Sequence, residues 1–193
     1  GYVHSNAKYT NVVIKNVWSY DISSSYPFVL CTQKYPIKQF ELTMDKNLNH
    51  LDYENYAYIM DINITDVEAI LDNSFLSLHK ALAIDENGET ISYKNAKVDN
   101  GRIREVKKAR FILTDCELIT LNKSYKFKVK VNAIYSAPKE YLPVKLINFI
   151  LKLFKDKTQY KNMKEFESRY KEAKEFINSV YGMFVTKILN DTV

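Results

Sequence analysis

Three positions near the C-terminus are spaced for joint chemistry. Lys174, Asn178 and Tyr181 stand at i, i+4 and i+7. On a helix turning about 100° per residue they form a row beside the apolar stripe rather than opposite it. A cation, an amide and an aromatic ring in such a row suit a nucleotide: lysine grips phosphate, and the other two meet base or sugar edges. An ordinary amphipathic helix with a boundary lysine and tyrosine has the same pattern. A second feature lies far upstream. Asp21 closes an apolar stretch and precedes the turn Ser23-Ser24-Ser25-Tyr26-Pro27. A carboxylate at a strand end, with the backbone carbonyl of Ile22 beside it, offers hard oxygen ligands to a divalent cation. A turn-capping aspartate has the same appearance.

Composition removes other chemistries. The four glycines, Gly1, Gly88, Gly101 and Gly182, make neither a G-x-G-x-x-G dinucleotide loop nor a G-x-x-x-x-G-K phosphate loop. Cys31 and Cys116 are too few for a zinc ribbon or a disulfide framework, and His4, His50 and His79 form no metal pair. The chain has 193 residues, 46% apolar and 26% charged, enough for one domain of ordinary size with room for a subdomain. Lys and Arg number 28 against 23 Asp and Glu, a net charge of +5, which hints at a phosphate-bearing partner. The most apolar stretch, Leu146 to Phe154, is interrupted by Asn148 and Lys152, so no membrane span is expected. Gly1 to Thr10 is polar and reads as no signal peptide, and a reduced, intracellular setting is expected.

The elements that must position these residues are legible in outline. Asn11 to Ile22 is β-branched and aromatic and reads as a strand. Phe28 to Cys31 reads as one or two helical turns ended by Tyr35-Pro36. From Phe40 to Tyr141 the chain is β-rich. Tyr56 to Val67 reads as a strand, and Asp85-Glu86-Asn87-Gly88 as the turn of a hairpin joining Ala81–Ile84 to Thr90–Tyr93. Asp99-Asn100-Gly101 is a second turn, and Arg110 to Leu113 another strand. Thr114-Asp115-Cys116-Glu117 has the form of a capping box. Lys126 to Ile134 alternates lysine with apolar residues, as a half-exposed strand does. The last third is helical. Pro143 stands at the start of a helix with a Val144, Ile147, Leu151 and Phe154 stripe. A second helix, from about Met163 to Lys187, has Phe166, Tyr170, Ala173, Ile177, Val180 and Phe184 on one face.

Taken together, the two chemical features carry a family likeness. Tyr20 to Pro27, Y-D-I-S-S-S-Y-P, resembles motif A of family B DNA polymerases, D-x-x-S-L-Y-P. Lys174 to Gly182, K-E-F-I-N-S-V-Y-G, resembles their motif B, K-x-x-x-N-S-x-Y-G. The order is right, and the interval of 153 positions from 21 to 174 suits the protein-primed, phage-type branch, which carries an insertion there. Gly1-Tyr2-Val3-His4-Ser5-Asn6 is similar to a G-G-x-x-H-x-N stretch shortly before motif A. Asp99–Ile103, Leu113–Asp115 and Tyr141–Pro143 are similar to further segments of the same phage proteins.

The resemblance implies roles at matching positions. Asp21 would be one of two aspartates holding two Mg²⁺ ions, with the Ile22 carbonyl as a further ligand. Tyr26 would pack under the incoming sugar and exclude a 2′-hydroxyl. Lys174 would bind the triphosphate, joined by Lys161 or, less closely matched in spacing, Lys157. Asn178 and Tyr181 would line the pocket for the nascent base pair, and Gly182 would let the backbone approach it. Template-directed addition to a primer 3′-hydroxyl by two metals needs carboxylates and lysines rather than cysteine, histidine or a glycine-rich loop. Two departures stand out. Ser25 occupies the usual Leu position of motif A, and no D-T-D pair like motif C lies between Gly182 and Val193.

The expected fold is α+β. Residues 1–39 would be a partial polymerase palm with antiparallel sheet, 40–141 a β-rich insertion contacting DNA and a terminal priming protein, and 142–193 the finger helices. The expected partners are primer-template DNA and deoxynucleoside triphosphates, in a phage or mobile-element protein of the bacterial cytoplasm. The isolated chain, without motif C, is expected to be inactive. Lys126, Lys128 and Lys130 share one face of a strand and can touch DNA phosphates; a plain solvent-facing strand has the same pattern. The rival expectation is a non-catalytic module that binds DNA or a priming protein.

Overall fold

The computed structural model of the chain describes residues 11–20, 25–71 and 74–185, the side chains of 181 and 183–185 excepted. Two compact units emerge, one made of Gly1–Trp18 and Pro36–Lys139, the other of Ser19–Tyr35 and Glu140–Val193. The fold class is α+β, with an antiparallel sheet and C-terminal helices, as the sequence leads one to expect.

In the first unit a long strand, β3 (Tyr56–Ala69), lies between β5 (Arg102–Thr114) and β6 (Tyr125–Tyr141), antiparallel to both. The short strands β2 (Glu41–Thr43) and β4 (Lys97–Asp99) add to β6 and β5. Period-two alternation sends Tyr58, Met60, Ile62 and Ile64 to one face, where Phe111 and Leu113 of β5 meet them. The helix α2 (Asp115–Ser124) closes that core with Leu118 and Leu121. Its start is fixed as the sequence predicts: the Glu117 amide donates to the Thr114 hydroxyl, and the Thr114 amide to the Glu117 carboxylate. The buried Tyr125 ring is tied at both sides of its hydroxyl, donating to Ile103 O at 2.8 Å and accepting from the Leu76 amide at 3.2 Å.

Turn chemistry sets the β4–β5 hairpin. Asn100 and Gly101 have φ of 48° and 74°, the two left-handed positions that a tight hairpin turn requires. The register of β3 against β6 shifts between Thr65 and Glu68, where Asp66 takes φ 53° as the extra residue of a bulge.

One expectation needs correction. Asn11 to Tyr20 forms no strand: Asn16 turns left-handed at φ 59°, and Val13 and Tyr20 are 90% and 89% exposed. β-Propensity reports the fit of a side chain to a half-buried pleated surface, and among the described residues no neighbouring strand supplies one. The hairpin expected over residues 81–93 is present in short form: Ile84 bridges Thr90 antiparallel, and the Ile91 amide donates to Ala83 O and the Asp85 amide to Glu89 O, both at 2.8 Å. The Leu82 amide donates to Arg110 O at 2.9 Å, so the segment shields the edge of β5.

The second unit is mainly helical: α1 (Ser25–Thr32), α3 (Val144–Gln159) and α4 (Glu167–Val185), with the short strand β1 starting at Lys34. Pro143 sits one position before α3, and its carbonyl accepts from the Leu146 and Ile147 amides at 2.8 and 3.1 Å. The predicted α4 face holds, with Ala173, Ile177 and Val180 at 3–4% exposure, but α4 starts at Glu167 after a 3-10 turn over Lys164–Phe166. The predicted α3 stripe does not hold. Val144, Leu151 and Phe154 are exposed, while Ile150 and Leu153 are buried. The helix carries apolar residues over a wide arc, so two stripes fit the same 3-4-3 spacing, and packing selects Leu146, Ile150 and Leu153. Among the described residues no helix is long and apolar enough to cross a membrane.

Candidate functional site

The site is assembled from the second unit. α1 brings Tyr26, which is 56% exposed. One turn further on, Leu30 is buried against Ile150 of α3 and Val180 of α4, with Tyr35, Cys31, Leu142 and Leu146 around them. This cluster fixes α1 to both long helices. The end of α1 is closed by the Thr32 hydroxyl, which donates to Phe28 O at 2.8 Å, and by the Gln33 amide to Val29 O. Burial of the Tyr35 ring raises its hydroxyl pKa, and among the described residues that oxygen has no hydrogen-bond partner.

On α4 the apolar face turns inward and Lys174 and Asn178 stay exposed along its flank, as the spacing predicts. Tyr181 lies within the helix, its side chain beyond the described residues. Gly182 is half-buried, and a Cβ built there meets nothing within 4 Å. Among the described residues, packing therefore does not demand glycine at this position. Lys161 is exposed in the turn after α3, beside Asn162 in a left-handed conformation at φ 67°. Asp21 and Ile22 lie outside the described residues, and among those described no cluster of His, Cys, Asp and Glu is able to hold a metal.

Lys126, Lys128 and Lys130 belong to the first unit, all exposed on β6. Lys128 pairs with Asp66 at 2.9 Å, which raises its pKa, and Lys130 pairs with Glu86 at 2.7 Å. Those carboxylates are 62 and 44 positions away, so spacing alone gives no sign of them. Beside them runs a polar network that sequence reasoning missed. Arg110 donates to both Asp61 oxygens at 2.8 and 2.5 Å, diagonally across the β3–β5 ladder, and holds the Asp61 pKa below the usual carboxylate range. Asn132 donates to Asp61 at 3.1 Å, and Asn63 donates to Asn132 and Glu86. The network ties the segment carrying Glu86 to the sheet.

What the site can do follows from its groups. A fixed helix presents an exposed tyrosine, and a second helix sharing its core presents a lysine and an amide. Groups of these types can meet a phosphate, a sugar or a base edge.

Comparison with known proteins bears on the chain as a whole. The sequence pattern of one family, DNA polymerase type B, organellar and viral, matches residues 1–193. No curated protein matches the chain. Among solved structures, phi29 DNA polymerase complexed with primer-template DNA, a post-translocation binary complex, is similar. It shares 18% identity and a TM-score of 0.57 over 86% of this chain and 25% of that chain. The ternary complex of the same polymerase with primer-template DNA and incoming nucleotide substrates has a TM-score of 0.52 at 18% identity, over 86% and 26% of the two chains. The chain thus spans about a quarter of the length of these structures, and the likeness is one of fold. With a match over its whole length, the chain belongs to the type B DNA polymerases of the organellar and viral family.

Proposed function

We propose that the chain is a segment of a protein-primed DNA-directed DNA polymerase, carrying part of the palm, the finger helices and the insertion between them. The observation that carries this reading is the pairing of two distant motifs in one folded unit. Tyr26 of motif A and Lys174 and Asn178 of motif B lie on helices that share the Leu30, Ile150 and Val180 core. In this reading Lys174, with Lys161, holds the triphosphate. Asn178, Tyr181 and Gly182 bound the nascent base pair, and Tyr26 excludes a 2′-hydroxyl. Residues 1–39 and 142–193 then form palm and fingers, while 40–141 contact primer-template DNA and a terminal priming protein. The setting is phage or mobile-element DNA replication in the cytoplasm of a bacterial host.

The donor set at the motif A position, an Asp21 carboxylate and the Ile22 carbonyl, consists of hard oxygens of the kind Mg²⁺ takes. When bound, the metal ions supply charge stabilisation at the reacting phosphate. The chain's own residues bind and orient the nucleotide. One aspartate does not complete such a site, so the 193-residue chain alone is inactive.

The test is nucleotide incorporation by the full-length protein carrying Asp21→Ala. Loss of incorporation with DNA binding retained is the expected result. Normal incorporation would refute the assignment. A non-catalytic module would bind DNA or a priming protein and incorporate nothing even at full length.

A further inference from the structure

The α3–α4 hairpin holds a second feature, on the other side of its packing seam. With Ala173, Ile177 and Val180 facing α3, a turn of about 100° per residue puts Lys174 and Asn178 on one flank of α4. Arg169, Glu172 and Phe176 then fall on the opposite flank. There a cleft of about 500 Å³ opens between the two helices, floored by Leu153 and Ala173. This is the size of a small-ligand pocket.

Three properties of the cleft point to the same occupant. Its walls are aromatic: Phe149 and Phe176 are 45% and 48% exposed, and Tyr160 stacks on Phe166 with centroids 4.9 Å apart. Arg169 lies over that Phe166 ring at 5.9 Å, so its guanidinium is held at the cleft rather than left to wander. Lys152, Asp156, Arg169 and Glu172 all line the cleft, yet among the described residues none of them forms an ion pair. Two cations and two carboxylates are thus unspent. Finally, positions 144–175 contain nine Lys and Arg and five Asp and Glu, a net +4, against +5 for the whole chain. The hairpin is where the protein's positive charge is concentrated.

We propose that this cleft binds one unpaired base of a single DNA strand. The base stacks on Phe149 or Phe176, whose π-faces accept any base. Asp156 and Glu172 accept hydrogen bonds from its amino or imino edge. Lys152 and Arg169 take the adjoining phosphates. A duplex is excluded, because its bases already stack on one another. The inference rests on the polymerase reading for the presence of unpaired DNA, but not on the nucleotide row, which lies on the opposite flank.

The test is anisotropy titration of the 193-residue chain with a labelled single-stranded oligonucleotide and with its duplex. Phe176→Ala and Arg169→Ala are each expected to weaken single-strand binding about five-fold or more and to leave duplex binding unchanged. Phe176 is half exposed, so its truncation leaves the seam intact. As a second readout, Phe176→Trp in a Trp18→Phe background makes residue 176 the chain's single tryptophan, and its emission is expected to be quenched when the oligonucleotide is added. Single-strand binding equal to that of the unmodified chain, equal losses on duplex, or an unquenched Trp would overturn the proposal. So would a protein segment, rather than DNA, as the occupant. Lys174→Ala with triphosphate titration separates the two sites: loss there with the Phe176 effect intact leaves both readings standing. An unaltered triphosphate affinity tells against the nucleotide row alone.

Discussion

Asp85 and Lys108 meet at 2.6 Å although 23 positions apart, and the Asp85 side chain is 2% exposed. The carboxylate also accepts the amides of Asn87 and Glu89 at 2.9 and 3.0 Å, which shapes the turn ending at Gly88. The Lys108 ammonium first, and the Glu89 amide next, lower its pKa to about 2.

A pH dependence follows from that shift. The unfolded aspartate titrates near 3.9. A group whose folded pKa is depressed stabilises fully above its unfolded pKa and loses that contribution as pH falls through the folded one. Stability of the first unit is therefore expected to drop between about pH 4 and pH 2. Urea melts across this range should show a shallower acid-side decline in Asp85→Asn. An identical decline in both proteins would show that the carboxylate contributes nothing there.

Leu30 joins α1 to the two long helices. Its truncation to Ala removes the contact with Ile150 and Val180 and is expected to cost about 2–5 kcal/mol. Hydrogen exchange should rise across α1, α3 and α4, and triphosphate affinity should fall although no nucleotide-binding group has been touched. Unchanged exchange in α1 would show that the helix is held by other means.

The lysines of β6 are expected to act on DNA only in competition with their own partners. Lys128 and Asp66 are 79% and 65% exposed, so their ion pair is weak and screened by salt. Asp66→Asn, which keeps a residue tolerant of positive φ, is expected to raise duplex affinity about two-fold at low salt. Lys128→Ala should lower it and reduce the salt slope by about one. Duplex affinity indifferent to both changes would remove this strand from the DNA contact.

Sugar discrimination tests the place of Tyr26. In the full-length polymerase, Tyr26→Val is expected to admit ribonucleotides, as measured by incorporation of ribo- against deoxyribonucleotides. Unchanged discrimination would take the gate role from this ring.

How far the sequence is readable depends on the range of the forces involved. The Thr114–Glu117 box, the Asn100–Gly101 turn and the α4 face were legible because each is decided within a few residues. Tyr26, Lys174 and Asn178 stand out by type and spacing, and the structure leaves all three exposed on helices of the second unit. The strand expected at Asn11 to Tyr20 was not, because a strand needs a partner that composition does not provide. The α3 stripe was ambiguous because the apolar arc is wide, and Leu30, Ala173, Ile177 and Val180 decide which side is covered. Arg110 with Asp61, and Lys130 with Glu86, depend on which strands become neighbours, and nothing local records that. The α3–α4 cleft escaped notice for the same reason, its walls coming from two helices.

β5, α2 and β6 follow one another without an intervening residue, so the 40 positions from Arg102 to Tyr141 belong wholly to regular structure. An added or deleted residue anywhere in that run would turn β6 over on β3 or rotate α2 off its core. An engineered tag or split point is therefore better placed in a connection outside it, such as residues 44–54, where the backbone is bound by turns rather than by a ladder.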